Sequence, residues 1–239
     1  MSTAQTIRPI APAVLEQLRT IDSCTVSNAI ERLSTRLHNE GFTDSSIHCL
    51  SPEMPPMVGY AAPGRIRTSV SPTTGRLYYQ HMAWWEYLLT IPAPRIIVLQ
   101  DVDDRPGLGA LFGEIHAHIA RALACIGYVT NGTVRDLPAV QRTGYHLFAS
   151  GLSVSHAYAH VVDFGGRVEV GGLTVRPGDL LHGGLHGVVS VPAEVAPQVP
   201  KVAAELLAQE RELIQLCQSE HFSLEKLRVQ IERTRHESH

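Results

Sequence analysis

The sequence predicts an α/β fold in which a partly parallel sheet is followed by a helical C-terminal extension. Between residues 95 and 150, β-branched runs alternate with helical stretches, as in parallel strands joined by right-handed crossovers. Residues 161–192 contain short alternating strands separated by Gly-Gly and Pro-Gly turns. From residue 193 onward the chain is charged and polar, and its pattern is helical. We therefore expect a core domain over residues 1–192 and a helical extension over residues 193–239, which packs on the same domain or on a neighbouring subunit.

Two helices are predicted within residues 12–38. Pro12 suits the first turn of the first helix, because an N–H at that position would have no partner inside the helix. Asp22 or Ser23 is placed to cap the second helix, which continues as an amphipathic run. A proline-rich loop is expected to follow at residues 39–57.

The middle of the chain alternates strands with helices. Residues 58–70 alternate as one strand does, or as two strands with a bend at Pro63 and Gly64. The other elements are predicted from apolar periodicity and glycine turns: a helix at 77–91, a strand at 95–101, a helix at about 114–125, a strand at 127–131, a short helix at 136–143 and a strand at 145–150. The helical tail is expected to break near residues 219–223.

Composition narrows the chemistry that this chain can perform. The formal charge of −3 gives no reason to expect nucleic acid or an anionic membrane as a partner. Four scattered cysteines without a CxxC pair, and a start without a signal-peptide pattern, predict a cytoplasmic protein. Both lysines of the chain, Lys201 and Lys226, lie in the C-terminal extension. Schiff-base catalysis therefore lacks a candidate nucleophile in the core domain, and any carbonyl chemistry points to a metal ion.

A glycine turn leads straight into a helix whose first residues are Gly113, Glu114, Ile115 and His116. The free backbone N–H groups there, with the positive end of the helix dipole, suit a carboxylate or a phosphate. The GK[ST] ending of a phosphate-binding loop and the glycine spacing of a dinucleotide fingerprint are both missing. The alternative is a tight strand-to-helix turn in which Glu114 only stabilises the helix dipole.

A second turn, "TNGTVRD" at residues 130–136, places Arg135 beside Asp136. One explanation is a local ion pair in which Asp136 caps the following helix. However, the carboxyl ends of neighbouring parallel strands lie about 5 Å apart, so Glu114 is expected beside Arg135 and Asp136 in one crevice. That crevice suits a 2-oxo acid. The N–H groups and Arg135 would bind its carboxylate, while Asp136, with water, would hold a divalent cation that polarises the keto oxygen.

A glycine–acid pair followed, one helix and one strand later, by Arg-Asp resembles the signature of the RraA-like superfamily. The resemblance extends to "CTVSNAIERL" at 24–33, "MVGYAAPGRIRT" at 57–68 and "GGLTVRPGDLLHGGLHGVVSVP" at 171–192. The superfamily includes metal-dependent 4-hydroxy-4-methyl-2-oxoglutarate and 4-carboxy-4-hydroxy-2-oxoadipate aldolases, and also non-enzymatic regulators of ribonuclease E. The resemblance implies a swivelling β/β/α domain that assembles as a homotrimer or a hexamer.

The resemblance also implies a role for each residue of the two turns. Asp136 would ligate Mg²⁺ or Mn²⁺ directly. Glu114, where the aldolases more often carry Asp, would hold the cation through water and help proton transfer. Arg135 would bind the substrate and stabilise the enolate. The backbone N–H groups of residues 113–116 would bind the pyruvyl carboxylate.

Two further residues are expected to hold the site residues in position without contacting the substrate: Asn131, in the same turn as the Arg-Asp pair, and His182, at the end of a strand. One segment departs from the family pattern, because relatives usually have an acidic residue where this chain has Gly183 and Gly184. The missing acid is expected to weaken metal binding or to change the substrate.

The leading function is a divalent-metal-dependent lyase that cleaves a 4-hydroxy-2-oxo dicarboxylate to pyruvate by a retro-aldol reaction, with oxaloacetate decarboxylation as a side activity. One alternative is a non-catalytic RraA-like regulator of ribonuclease activity. Another is a diverged enzyme of the same fold that acts on a different hydroxy or oxo acid. The presence of Glu114 together with Arg135 and Asp136 favours an enzyme.

The histidines and the aromatic residues have ordinary explanations. Two histidine pairs, His156–His160 and His182–His186, have a spacing that suits metal ligation only on a helix, and both segments are predicted as loop or strand. We therefore expect hydrogen-bonded histidines rather than a zinc site. Four aromatic residues of the 77–91 helix are expected in the core or at a subunit interface: Tyr78, Tyr79, Trp84 and Trp85.

Overall fold

The computed structural model describes residue 7, residues 9–72 and residues 81–237, and these residues form seven helices and thirteen strands. The helices are α1 (Pro12–Leu18), α2 (Ser23–Arg32), α3 (Met82–Leu89), α4 (Glu114–Ala122), α5 (Leu137–Arg142), α6 (Val199–Gln218) and α7 (Leu224–Glu237). The strands are β1 (His48–Cys49), β2 (Met57–Arg67), β3 (Arg95–Asp101), β4 (Ala110–Phe112), β5 (Cys125–Thr130), β6 (Thr133–Val134), β7 (His146–Ala149), β8 (Gly151–Leu152), β9 (His160–Phe164), β10 (Val168–Val170), β11 (Leu173–Val175), β12 (Leu180–Gly184) and β13 (Gly187–Val191).

The main sheet has eight strands and follows the order β1-β7-β5-β3-β2-β12-β13, with β9 also paired to β2. Its centre is parallel, since β2, β3, β5 and β7 run in the same direction. The strands at its two ends are antiparallel to their neighbours. The predicted α/β fold with a partly parallel sheet and C-terminal helices is confirmed.

Strand β2 is one continuous strand, so the expected alternative of two bent strands is wrong. Its first eight residues are all buried, because both faces of the sheet are covered there. The predicted alternation of buried and exposed residues is therefore absent from this part of the strand. On one edge β2 pairs with β3, and on the other edge it pairs first with β12 and then with β9. Pro63 lies between the β12-paired and β9-paired segments, where its missing N–H costs no ladder hydrogen bond.

A second, smaller sheet is formed by β4, β6 and β8, which are parallel. Each of these short strands follows a strand of the main sheet, β3, β5 and β7 respectively, and the two sets have the same spatial order. The glycine-rich sequence around β4 predicts a turn, whereas the structure has a short strand there. A three-residue strand is too short to produce a recognisable period, and its assignment depends on its neighbours.

The main sheet is buried on both faces. Alternate residues of its central strands join two separate apolar clusters. The larger cluster includes residues of the helices, among them Trp84 and Trp85, which lie in the core as predicted. The smaller cluster is covered by the β10–β11 hairpin. Tyr78 and Tyr79 lie outside the described residues.

The helices largely follow the sequence pattern. The helix predicted at 77–91 spans Met82–Leu89, and it starts where His81 Nδ1 accepts a hydrogen bond from the Trp84 N–H at 3.3 Å. Residues 77–80 of that prediction lie outside the described residues.

The tail breaks between α6 and α7, as expected, and α6 packs on α2 of the same chain. In the part of the chain that the structure describes, no helix is both long enough and apolar enough to span a membrane.

We predict that the substitution Asp22→Ala lowers the free energy of unfolding by about 1 kcal/mol at neutral pH, because Asp22 caps α2 through the N–H groups of Cys24 and Thr25. Burial raises the pKa of Asp22, but the hydrogen bond from the Thr25 hydroxyl, at 2.6 Å, and those from the two N–H groups outweigh burial and leave the pKa below its ordinary value of 3.8. The contribution is therefore complete above that value and is lost as the pH falls through the lowered pKa.

Urea unfolding of the wild type and of Asp22→Ala, at neutral pH and in acid, measures this difference. The exposed Glu53, in the loop before β2, provides the control substitution Glu53→Ala. A stability difference of the same size at both pH values would contradict the prediction.

Candidate functional site

The two turns singled out in the sequence meet in the structure. Oδ2 of Asp136 accepts a hydrogen bond from the backbone N–H of Glu114 at 3.3 Å. Nε of Arg135 donates to Oδ1 of Asp136 at 3.3 Å. The expected proximity of Glu114 to the Arg-Asp pair is therefore confirmed, whereas the roles of the three residues stay predictions.

The small sheet, rather than the main sheet, brings the two turns together. Glu114 follows β4, and Arg135 follows β6, the neighbouring parallel strand. Phe112 is the register partner of Val134, and its carbonyl oxygen accepts a hydrogen bond from the Arg135 N–H at 3.0 Å. The rule that the carboxyl ends of neighbouring parallel strands lie side by side therefore holds for β4 and β6. The sequence pattern points to the preceding strands, β3 and β5.

Asp136 adopts a left-handed backbone conformation, with φ 55° and ψ 31°. Its carbonyl oxygen accepts the first hydrogen bonds of α5, from the N–H groups of Ala139 and Val140. Its side chain makes no capping hydrogen bond to α5 and turns instead to the N-terminus of α4. The alternative in which the Asp136 side chain caps the helix that follows is therefore wrong.

Gly113 makes this approach possible. A Cβ atom on Gly113 would lie 2.6 Å from Oδ2 of Asp136 and 2.9 Å from Cγ of Arg135. The backbone of Gly113 is extended, with φ −150° and ψ −159°, a conformation open to any residue. The requirement for glycine is therefore one of space.

The site is open to solvent. The side chain of Arg135 is 30% exposed and that of Asp136 is 39% exposed. Glu114 is also exposed. An ion pair at this exposure contributes at most about 1 kcal/mol to stability. The contact between Arg135 and Asp136 can therefore be replaced by contacts to a ligand at low cost in free energy.

The first turn of α4 presents backbone N–H groups rather than a catalytic histidine. The first hydrogen bond of the helix runs from the Ala117 N–H to the Gly113 carbonyl at 3.0 Å, so the preceding N–H groups point out of the helix end. The His116 ring is buried and lies 5.5 Å from the ring of Trp85 and 5.8 Å from that of Phe112. Burial, and to a lesser extent repulsion from His156, lowers the pKa of His116 to about 3.

Asn131 is bonded to the backbone of Asp101, an acidic residue that the sequence pattern does not single out, and its expected support of the Arg-Asp pair stays a prediction. Its Oδ1 accepts from the Asp101 N–H at 2.7 Å, and its Nδ2 donates to the Asp101 carbonyl at 3.0 Å. Asp101 is itself buried, with 2% of its surface exposed. The available signal was an acidic residue that closes a buried β-branched run at the carboxyl end of a strand.

His182 is buried in β12 and contacts the segment around the first helix. Its Nε2 donates to the carbonyl oxygens of Leu18, at 3.1 Å, and of Ile21, at 2.9 Å, around the C-terminal end of α1. Burial lowers the pKa of His182. These hydrogen bonds join β12 to the N-terminal helices, and the expected support of the Arg-Asp pair by His182 stays a prediction.

The departure at Gly183 and Gly184 has a steric explanation. Both residues are buried in β12. A Cβ atom on Gly183 would lie 2.7 Å from Cε of Met57, and a Cβ atom on Gly184 would collide with Oγ of Ser23. An acidic side chain at either position has no room without rearrangement of this packing.

Several histidines donate or accept hydrogen bonds with the backbone, as expected of ordinary histidines. Nδ1 of His156 lies 2.6 Å from the carbonyl oxygen of Ala110, and Nδ1 of His160 lies 2.7 Å from that of Tyr158. Among the described residues, no group of three or more His, Cys, Asp or Glu side chains is arranged to hold a metal ion. A cation at this site would therefore depend on fewer protein ligands and on water.

Comparison with known proteins gives one family. The family model described as RraA-like, Aldolase/RraA, matches residues 23–190, which is more than half of the chain. A protein of Halalkalibacterium halodurans named "Putative 4-hydroxy-4-methyl-2-oxoglutarate aldolase" is 26% identical over 123 residues, 49% of this chain and 59% of that protein. Protein DlpA of Legionella pneumophila is 26% identical over 129 residues, 52% of this chain and 20% of its own length. The chain thus spans less than two thirds of the length of both relatives.

Solved structures show the same fold. An uncharacterized protein from Pseudomonas syringae pv. tomato superimposes with a TM-score of 0.72 and 25% identity, covering 96% of this chain and 99% of that one. Streptomyces coelicolor RraAS2, described as an unusual member of the RNase ES inhibitor RraA protein family, superimposes with a TM-score of 0.66 and 19% identity, covering 85% and 96%. At 19% identity the second likeness concerns the fold alone.

We predict that Gly113→Ala displaces the Asp136 carboxylate and accelerates hydrogen exchange of the Glu114 amide about fivefold, since a lost hydrogen bond costs roughly 1 kcal/mol. Exchange measured by NMR on the wild type and the variant tests this expectation. The control is Gly166→Ala, because a Cβ at Gly166 meets no atom within 4 Å. Unchanged exchange at Glu114 in Gly113→Ala would show that the contact is dispensable.

Proposed function

We propose that this chain, which belongs to the RraA-like family, is a divalent-metal-dependent lyase that cleaves a 4-hydroxy-2-oxo dicarboxylate to pyruvate by a retro-aldol reaction. The observation that carries the proposal is the contact of the Asp136 carboxylate with the N-terminus of α4, beside Arg135. An anion-binding helix end, a guanidinium and two carboxylates then share one open surface. The aldolase name of the Halalkalibacterium halodurans relative supports the same reaction class.

Asp136 suits a hard divalent cation. Each of its carboxylate oxygens has one hydrogen bond of 3.3 Å, near the long limit, so lone pairs remain for a cation. Mg²⁺ keeps several waters and is commonly held by one or two carboxylates, and Mn²⁺ accepts similar oxygen ligands. We therefore assign Asp136 as the direct ligand and Glu114 as a ligand through water. When bound, the cation supplies positive charge that polarises the 2-oxo group of the substrate.

The substrate carboxylate would bind at the N-terminus of α4. The N–H groups of Ile115 and His116 point out of the helix end, and the helix dipole adds a partial positive charge there. The guanidinium of Arg135 offers further donors to the same anion. A substrate bound in this way would bring its C2 oxygen towards Arg135 and Asp136.

Bond cleavage then follows from the charges on the two turns. As the C3–C4 bond breaks, the proton of the 4-hydroxyl leaves and its oxygen becomes a carbonyl. The electron pair of the broken bond forms the enolate of pyruvate, and Arg135 stabilises the negative charge that develops on its C2 oxygen. The exposed carboxylate of Glu114 would receive the hydroxyl proton, directly or through water, and would pass it on through water to C3 of the enolate, which gives pyruvate and restores the carboxylate. Oxaloacetate would pass through the same enolate, with carbon dioxide as the leaving group.

The open surface of the site supports the proposal that this chain works as a homotrimer or a hexamer. Exposed apolar side chains flank the Arg-Asp pair: Ile115 is 50% exposed, Leu152 is 57% exposed and Val154 is 93% exposed. Leu152 is the register partner of Val134, which immediately precedes Arg135. A subunit seated on this surface would exclude water from the reacting groups.

A regulator without catalysis is the second candidate, since the matching family is described as Aldolase/RraA and so covers RraA proteins as well as aldolases. The two candidates differ in what they require of Glu114, Arg135 and Asp136. Catalysis needs all three functional groups on one ligand, whereas binding to a ribonuclease places no such demand on their chemistry.

We predict that purified protein releases pyruvate from 4-hydroxy-4-methyl-2-oxoglutarate in the presence of Mg²⁺, and that EDTA abolishes this release. Pyruvate is measured with a coupled lactate dehydrogenase assay, and oxaloacetate is assayed in parallel. Manganese added after EDTA is expected to restore the rate. Absence of metal-dependent turnover with both substrates would reject the lyase and favour the regulator.

We also predict that Asp136→Asn lowers the rate of pyruvate release by at least ~100-fold, since even loss of a residue behind a metal ligand costs about 10–100-fold. The substitution removes the negative charge, but it keeps an oxygen for the Glu114 N–H and a residue type that tolerates the left-handed backbone. Urea unfolding should therefore be nearly unchanged. Full activity of Asp136→Asn would place the cation elsewhere; Asp163→Asn, in β9, serves as the control.

A further inference from the structure

A buried carboxylate at the end of β3 has no part in the proposed reaction. The side chain of Asp101 accepts hydrogen bonds from the Gly107 N–H at 2.8 Å, the Asp103 N–H at 3.1 Å and the Thr68 hydroxyl at 3.4 Å. Burial raises the pKa of Asp101, which means that removing its charge from water opposes ionisation. A carboxylate placed at such a cost needs a compensating function in what it holds.

The loop that Asp101 holds is attached to the strand that carries the Arg-Asp pair. The hydroxyl of Thr133, the first residue of β6, donates to the carbonyl oxygens of Gly107, at 3.3 Å, and Gly109, at 3.2 Å. Gly107 has φ 89°, so the loop turns through a conformation that favours glycine. The position of this turn therefore depends on Asp101 on one side and on Thr133 on the other.

Asn131 closes these contacts into a ring. It lies two residues before Thr133 and is bonded to both backbone groups of Asp101. The ring runs from the Asp101 carboxylate through Gly107 to Thr133, then along the chain to Asn131 and back to the Asp101 backbone. Since every link is a hydrogen bond or a covalent connection, β6 is fixed relative to β3 at two points.

The site lies immediately beyond this ring. Arg135 follows β6 directly, and its N–H is bonded to the carbonyl of Phe112, the residue before Gly113. We propose that Asp101 is a positioning residue, whose carboxylate fixes the loop and β6 so that Arg135 and the N-terminus of α4 face one ligand carboxylate. The identity of that ligand rests on the proposed function, whereas the effect of Asp101 on Arg135 does not.

The test compares Asp101→Asn with Asp179→Asn. Asp179 is the control, because burial raises its pKa as it does that of Asp101, and it accepts the Arg176 N–H at 2.7 Å in a different turn. Two quantities are measured in each protein: the dissociation constant of oxalate with Mg²⁺, by calorimetry, and hydrogen exchange of the Arg135 amide, by NMR. Oxalate is the probe because it resembles the pyruvate enolate in shape and charge.

Asp101→Asn is expected to weaken oxalate binding about tenfold and to accelerate exchange at Arg135 by a similar factor, as loss of hydrogen bonds to a charged group predicts. Asp179→Asn should leave both quantities within about twofold of the wild type. A purely structural role of Asp101 would lower the stability and leave the oxalate dissociation constant of the folded protein unchanged. Wild-type values of both in a folded Asp101→Asn protein would overturn the proposal.

Thr133→Val provides a second variant that keeps the shape of the side chain and removes the hydroxyl linking the loop to β6. It is expected to weaken oxalate binding and to accelerate exchange at Arg135 about fivefold. If Asp101→Asn does not fold, this variant decides the proposal. Wild-type protein that neither binds oxalate nor releases pyruvate would reject the proposed function, and the exchange measurement would still decide the role of Asp101.

Discussion

The carboxylate of Asp136 accepts a hydrogen bond from the first N–H of α4, and several features of the chain serve this contact. Gly113 leaves the space that the carboxylate fills. The left-handed backbone of Asp136 turns the side chain away from α5, the helix that it would otherwise cap. The pairing of β4 with β6 sets the distance between the two turns. Loss of any one of these conditions would separate Arg135 from the N-terminus of α4.

The same contact means that the proposed anion site already has internal partners before any ligand arrives. Asp136 uses the positive end of α4 that a substrate carboxylate would also use, and Arg135 pairs with Asp136 rather than with solvent alone. Both hydrogen bonds are long and exposed, so their replacement costs little. The site can thus remain ordered without a ligand while giving up its internal contacts on binding.

Much of the fold could be predicted from the sequence, because the main strands and helices have clear apolar periods. The convergence of Glu114 with Arg135 and Asp136 could also be predicted, since it follows from a general rule of parallel sheets. The three short strands of the small sheet could not, because two or three residues carry no period and are ordered by their neighbours. Asp101 was missed for a related reason: its role depends on Gly107 and Thr133, which are distant in sequence.

The small sheet extends the main sheet by connections of unequal length. Residues 102–109 join β3 to β4, whereas two residues join β5 to β6 and one joins β7 to β8. A change in length of either short connection would shift a strand of the small sheet out of register. The longer connection can accept new residues at its tip, beyond the contacts of Gly107, while β4 stays in place. This loop is therefore the part of the region most open to a change in length, and the Arg-Asp turn is the part least open to it.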